Sequence, residues 1–236
     1  LYGSEETMVD YNKIYNEQGE TYEAMVCFED HEHNLLPAIN AIRPIAELDI
    51  LDTGAGTGRV TELMAPHARS IRAFDLAHNM LRVAHRKLRT KGANHWTTAV
   101  ADHRHIPIAD NTVDLVLSGW SVCMLVVNYK ATWQAEVNQT LNEMYRVLRP
   151  GGTIIIIETQ GTGQETPLQG PHMKEYCDHL ENNGFASTWI RTDFKFESEA
   201  QAKAHLGFFF SEMGEGLVDK YGTSVPECTG FWWKTI

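Results

Sequence analysis

Short apolar runs alternate with longer helical patterns from about residue 48 onward. The β-branched and apolar runs predict five strands, at 48–53, 70–75, 95–101, 113–118 and 152–158. The stretches between them predict helices near 58–67, 77–90 and 131–148. This alternation is typical of βαβ units that feed a parallel sheet. Residues 154–157 are all isoleucine, so their strand is expected in the buried middle of that sheet, with helices on both faces.

The pattern continues beyond a polar loop at 159–169. It predicts a helix at 171–183, a strand at 186–196, a second helix at 198–221 and a terminal strand at 228–235. The segment 198–221 contains three successive phenylalanines, which cannot all face one side of a helix. Two interpretations stay open for it: a decoration that packs on the edge of the sheet, or a cap over a substrate pocket.

The first 47 residues differ in character from the rest. Tyr11, Tyr15 and Tyr22 lie in a polar segment that precedes a helical pattern starting at Leu35. The tyrosines are either packing residues with a solvated hydroxyl or parts of a lid that excludes water from a pocket. We therefore divide the chain into an N-terminal helical lid with the helix that follows it, residues 1–47, and an α/β core, residues 48–236, with a helical insertion near 198–221.

Composition narrows the class of protein. The 31 acidic residues outnumber the 20 Lys and Arg, and this charge balance disfavours a nucleic-acid partner. The four cysteines lie far apart, which is typical of reduced thiols, and no membrane span or leader is evident, so a cytoplasmic protein is expected. The acidic and histidine-containing run at 29–33 is interpreted as a solvated face, and no metal site is predicted.

The most informative stretch is the loop after the first predicted strand. Asp52 precedes three glycines at every second position, Gly54, Gly56 and Gly58. Alternating glycines allow a tight turn and a close approach of the backbone to a ligand. The spacing differs from G-x-G-x-x-G, and a carboxylate at Asp52 would repel a pyrophosphate and attract a cation. S-adenosylmethionine (SAM), which carries an ammonium and a sulfonium but no phosphate, therefore fits better than a dinucleotide.

The other strands end on residues that suit the same ligand. Ligands of a doubly wound sheet bind at the carboxyl ends of the strands, where the strand order reverses. Asp75 ends the second strand and can accept hydrogen bonds from ribose hydroxyls, while Asp102 follows the third and can accept one from an adenine amine. Ser118 and Gly119 end the fourth strand, where small residues leave room for the methyl donor.

Together these motifs resemble those of the class I SAM-dependent methyltransferases, in particular the small type 11 group, over residues 9–160. The resemblance implies a seven-stranded Rossmann-like sheet whose last strand is antiparallel. It implies that Asp52 and the glycine loop hold the methionine part of SAM, Asp75 the ribose and Asp102 with His103 the adenine. Ser118 and Gly119 would lie beside the sulfonium, and Tyr22 would contact the cofactor from the lid. Neighbours of these residues complete the expected cofactor set: Thr53, Ala55 and Leu76.

The predicted function is transfer of a methyl group from SAM, leaving S-adenosylhomocysteine (SAH), to a small-molecule acceptor by in-line displacement. A general base is optional, and the weak candidates are His103, His105 and Glu158. The acidic balance suits a cationic or neutral acceptor slightly better than an anion. The alternatives are a methyltransferase acting on RNA or protein, or a SAM-binding module without transfer activity. The acceptor atom is not encoded in any motif, and a monomer and a homodimer are both compatible with the sequence.

Overall fold

The computed structural model describes residues 9–90 and 95–236, so residues 1–8 of the predicted lid lie outside it. Ten helices are found in the described part: α1 (Tyr11–Glu17), α2 (Gly19–Val26), α3 (Leu35–Ile42), α4 (Arg59–Met64), α5 (His78–Thr90), α6 (Cys123–Asn128), α7 (Trp133–Val147), α8 (Pro171–Asn182), α9 (Glu199–Phe210) and α10 (Glu212–Tyr221). The strands of this part are β1 (Asp49–Thr53), β2 (Ser70–Asp75), β3 (Trp96–Val100), β4 (Val113–Gly119), β5 (Leu148–Thr162), β6 (Ala186–Arg191), β7 (Phe194–Lys195), β8 (Ser224–Val225) and β9 (Glu227–Thr235).

Seven of the strands form one sheet in the order β3-β2-β1-β4-β5-β9-β6. The pairs from β3 through β5 are parallel, and β9 runs antiparallel to both β5 and β6. This confirms the predicted doubly wound, seven-stranded fold with an antiparallel last strand. The strand order reverses between β1 and β4, and their carboxyl ends therefore flank the crevice where such sheets bind ligands.

The core lies on both faces of the sheet. Ile154 and Ile156 pack with α7 and α8 on one face, while Ile155 and Ile157 pack with α3 and α4 on the other. All four isoleucines are fully buried, as predicted for a central strand. Burial of apolar surface on both sides of β4 and β5 fixes the carboxyl ends of these strands relative to each other.

Two predicted elements differ in the structure. The helix expected at 198–221 is two helices, because Ser211 adopts a positive φ of 52° and ends α9. Gly214 lets the two helices cross closely: a Cβ there would lie 2.2 Å from the carbonyl oxygen of Leu206. The strand expected at 186–196 is β6 followed by the separate strand β7, which pairs with β8.

The N-terminal segment packs on the core through α1 and α2. Both helices contact α5, and α2 also contacts α9. Lys87 of α5 binds Glu23 of α2 and Glu62 of α4 over 2.6 and 2.8 Å, and Arg86 pairs with Glu20. These ion pairs hold the segment across the carboxyl ends of the strands, where a lid would lie.

Candidate functional site

A cleft of about 210 Å³ opens at the carboxyl ends of β1, β2 and β4. We call it the central cleft. Most predicted cofactor residues line it, namely Tyr22, Asp52, Gly54, Ala55, Gly56, Asp75, Leu76, Asp102, His103 and Gly119. Three predicted residues, Thr53, Gly58 and Ser118, are not among its lining residues. The sequence therefore located the cleft, although the role of each residue within it stays a prediction.

The glycine loop forms one wall of the central cleft. Its three glycines all have positive φ, and the N–H groups of Gly54 and Ala55 donate to the carbonyl oxygen of Phe74 over 2.7 and 2.9 Å. A Cβ on Gly54 would lie 2.1 Å from Ser121 Oγ, whereas a Cβ on Gly56 would meet nothing within 4 Å. Gly54 is thus required by packing, and Gly56 leaves room that a ligand can occupy.

Asp75 is fixed by the loop that it faces. Its carboxylate accepts hydrogen bonds from the N–H of Gly56 (2.8 Å) and the N–H of Ala77 (2.7 Å). Burial raises the pKa of this carboxyl, and the two backbone hydrogen bonds partly oppose that rise. Each oxygen retains a further lone pair, so Asp75 can order the glycine loop and still accept hydrogen bonds from a ligand.

Asp52 lies deeper in the same wall. Its side chain is 1% exposed, and Thr61 Oγ1 donates a hydrogen bond to Oδ2. Burial raises the pKa of this carboxyl to about 7, although the Thr61 hydrogen bond lowers it. A cation bound beside Asp52 would offset that desolvation and favour the charged form.

The residues that follow β3 form ion pairs that the sequence did not predict. Asp102 forms an ion pair with Arg104 over 2.6 Å, and Arg104 also pairs with Glu136 over 2.7 Å. Burial raises the pKa of Asp102, but the Arg104 hydrogen bonds outweigh it and the net pKa is lowered. Asp102 therefore stays charged at neutral pH and would need its remaining lone pairs for an adenine amine.

The three candidate bases occupy different environments. His103 lines the central cleft, and burial lowers its pKa to about 4. His105 is exposed, bonds to Gln139 over 3.0 Å and does not line the cleft. Glu158 is also absent from the lining: its Oε1 accepts from the N–H of Cys123 (2.9 Å) and from Tyr176 Oη (3.2 Å). Burial raises the pKa of Glu158 to about 7.

Aromatic residues of the N-terminal segment contact helix α9 beside the cleft. Tyr15 and Tyr22 line the cleft, with ring centroids 5.8 Å apart. Phe209 of α9 lies 5.6 Å from Tyr22 and 5.2 Å from Tyr11. Helix α9 thus packs against the N-terminal tyrosines through Phe209, which no local pattern in the sequence could indicate.

Sequence reasoning missed several residues that line the central cleft: Asn12, Asn16, Arg59, Met124 and Tyr129. Arg59 directly follows Gly58, so its position in the sequence was a usable signal. Helix α6, which carries Met124, has only six residues and was too short to be predicted from periodicity.

The interpretation of the run at 29–33 as a solvated face was wrong for two residues. The side chain of Glu29 is 8% exposed and forms an ion pair with Arg59, with 2.8 Å between Oε2 and Nη1. Asp30 is 6% exposed and accepts hydrogen bonds from the N–H groups of Asn34 and Leu35. Residues 31–33 are exposed as expected. Across residues 9–90 and 95–236, no cluster of His, Cys, Asp and Glu could hold a metal ion.

Comparison with known families supports the fold and the resemblance drawn from the sequence. Residues 51–156 match the family model described as "Methyltransferase domain", Methyltransf_11. This match confirms the resemblance to the class I SAM-dependent methyltransferases of the type 11 group that was drawn from the motifs.

Curated relatives match over part of their length. Malonyl-[acyl-carrier protein] O-methyltransferase of Serratia marcescens is 30% identical over 61% of this chain and 50% of its own. Demethylmenaquinone methyltransferase of Clavibacter sepedonicus is 32% identical over 50% of this chain and 44% of its own. The chain thus aligns with about half the length of these relatives.

A solved structure supports the same fold. A SAM-dependent methyltransferase from Aquifex aeolicus superposes with a TM-score of 0.55 and 17% identity, covering 96% of this chain and 99% of that one. In the part of the chain that the structure describes, no helix is both long and apolar enough to cross a membrane.

Proposed function

We propose that this chain is a methyltransferase that moves the methyl group of SAM to a small-molecule acceptor. The observation that carries the proposal is the wall built by the glycine loop and the Asp75 carboxylate, which bonds to the Gly56 N–H over 2.8 Å. This wall faces open space at Gly56, and Tyr15 and Tyr22 of the N-terminal segment line the same cleft. The family match over residues 51–156 supports the same conclusion.

The cleft also fits the cofactor that the family uses. Two buried polar atoms at its wall, Thr57 Oγ1 and Arg59 Nη2, have no hydrogen-bond partner among the described residues. Asp52 and Asp75 suit an ammonium and ribose hydroxyls, and Leu76, 67% exposed, offers an apolar surface for a base. When bound, SAM would supply a methyl group activated by its sulfonium.

In this proposal the protein acts mainly by positioning and by excluding water. Tyr15 and Tyr22, which line the cleft, would close over it as lid residues, and the glycine loop with Asp75 would orient the donor. Of the candidate bases only His103 lines the cleft, and a pKa of about 4 makes it a weak proton acceptor at neutral pH. This favours an acceptor that is nucleophilic without deprotonation by the protein, such as a carboxylate, a thiolate or an enolate. These acceptors are anions, so the cleft favours a different charge from the one that the overall acidic balance suited.

The test is acceptor-dependent formation of SAH by the purified chain. The panel should include a malonyl thioester and a reduced quinone, which represent the chemistry named for the two relatives, and also amines, RNA and unmodified protein. We expect turnover with a small molecule and none with RNA or protein. Binding of SAH without turnover of any panel member would instead favour a SAM-binding module.

A further inference from the structure

Arg59 occupies a special position in the central cleft. It is the first residue of α4, directly after the glycine loop, and its guanidinium lies 4.2 Å from the centroid of the Trp120 ring. Nη1 donates to Glu29 Oε2 over 2.8 Å. The other terminal nitrogen, Nη2, is buried and has no hydrogen-bond partner in the described part of the chain. A buried guanidinium N–H without an acceptor is costly, so its presence in a cleft wall points to a ligand.

The neighbours of Arg59 are already engaged. The second oxygen of Glu29 accepts a hydrogen bond from Thr192 Oγ1 over 3.3 Å. The other arginine of the cleft wall, Arg104, donates to Asp102 through Nε and Nη2 and to Glu136 through Nη1. Of the two arginines that line the cleft, Arg59 is therefore the one with a buried guanidinium nitrogen that has no hydrogen-bond partner among the described residues.

We propose that Arg59 Nη2 binds a carboxylate of the ligand in the central cleft, an inference that rests on the proposed function. A guanidinium is planar, permanently charged and matched to carboxylate geometry. Asp52 and Asp75 also line the cleft and would repel a carboxylate, so Arg59 is the lining residue best suited to accept one. The carboxylate belongs either to the amino-acid part of SAM or to the acceptor.

The same guanidinium links the ligand to the lid. Glu29 lies just beyond α2 and pairs with Arg59, so a carboxylate bound at Nη2 would share the guanidinium with a lid residue. Arg59 therefore connects the cleft wall to the segment that covers it.

The experiment compares SAH with its decarboxylated analogue, which differs only in lacking the carboxylate. Binding of each is measured by calorimetry for the wild type, for Glu29→Gln and for the double variant Glu29→Gln/Arg59→Met. Glu29→Gln alone is the matched control, because it keeps Arg59. The same substitution is included in the double variant so that removing Arg59 does not leave the Glu29 carboxylate unpaired. Melting temperatures check that all three proteins fold.

If the carboxylate belongs to SAM, the wild type and Glu29→Gln should bind SAH at least about tenfold more tightly than the decarboxylated analogue. The double variant should bind both within about twofold, with unchanged affinity for the analogue. If the carboxylate belongs to the acceptor, the preference for SAH over its analogue should be the same with and without Arg59. Malonate added to the SAH-saturated protein should then bind the wild type and Glu29→Gln but not the double variant.

The inference is overturned if the double variant matches Glu29→Gln both in its preference for SAH over the analogue and in its binding of malonate. It is also overturned if the double variant loses SAH and the analogue equally, since Arg59 would then only support the fold of the cleft. A wild type that binds neither nucleoside contradicts the proposed function itself. That result is visible before Arg59 is changed, so the two failures are distinguishable.

Discussion

Replacing Gly56 by valine should abolish cofactor binding, and Gly151 provides a matched control. Both glycines have positive φ, +55° and +80°, and a Cβ on either would meet nothing within 4 Å. Gly151 lies at the start of β5, outside the central cleft, while Gly56 lines it. The two substitutions therefore impose a similar backbone strain, of about 1–2 kcal/mol, but only one side chain enters the cleft.

This strain gives a quantitative expectation for both variants. At roughly 2–4 °C per kcal/mol for a chain of this size, each variant should melt about 2–8 °C below the wild type. Calorimetry with SAH should show wild-type affinity for Gly151→Val and at least a hundredfold loss for Gly56→Val, which is about 2.7 kcal/mol. Near-normal binding by Gly56→Val would refute the assignment of the loop to the cofactor. Equal loss in both variants would show that strain alone governs binding.

Three further predictions test the remaining parts of the site. Asp75→Ala should weaken SAH binding by about 1.5–3 kcal/mol, tenfold or more, because it removes ligand contacts and the bond that orders the Gly56 N–H; unchanged affinity by calorimetry would remove its ribose role. In the unliganded protein, burial sets the pKa of Asp52 to about 7, against about 3.9 when unfolded, so the folded state retains a proton that the unfolded state has lost. Wild-type stability should therefore fall relative to Asp52→Asn by on the order of 2 kcal/mol between pH 5 and 7 in urea titrations, and parallel pH curves would contradict this. Residues 9–30 should gain protection from hydrogen exchange when SAH binds, whereas equal, high protection with and without SAH would identify a permanently packed element.

Local sequence patterns were sufficient to predict the sheet and the edge of the sheet at which the cleft lies. The run of isoleucines at 154–157 predicts a central strand because each residue must be buried whichever face it occupies. The glycine spacing likewise predicts a positive-φ turn, and Gly54, Gly56 and Gly58 all adopt one. Both features depend on residues that are adjacent in the chain.

The contacts that sequence could not predict join distant segments. The ion pair of Glu29 with Arg59 connects residues 30 positions apart, so the run at 29–33 looked solvated when considered alone. The ring contact between Phe209 and Tyr22 also joins segments that are distant in the sequence. The break at Ser211 was missed for another reason: serine rarely adopts positive φ, and here the close crossing of α9 and α10 accompanies it.

The most direct test of the central claim is a thermal-shift titration of the purified chain with SAH and, in parallel, with NAD. If the cleft is built for SAM, the melting temperature should rise with SAH concentration, following a stabilisation of RT ln(1 + [L]/Kd), about 2.7 kcal/mol at a hundredfold excess over Kd. NAD should produce no shift, because its pyrophosphate would meet the carboxylates of Asp52 and Asp75. A shift with NAD and none with SAH would contradict the account.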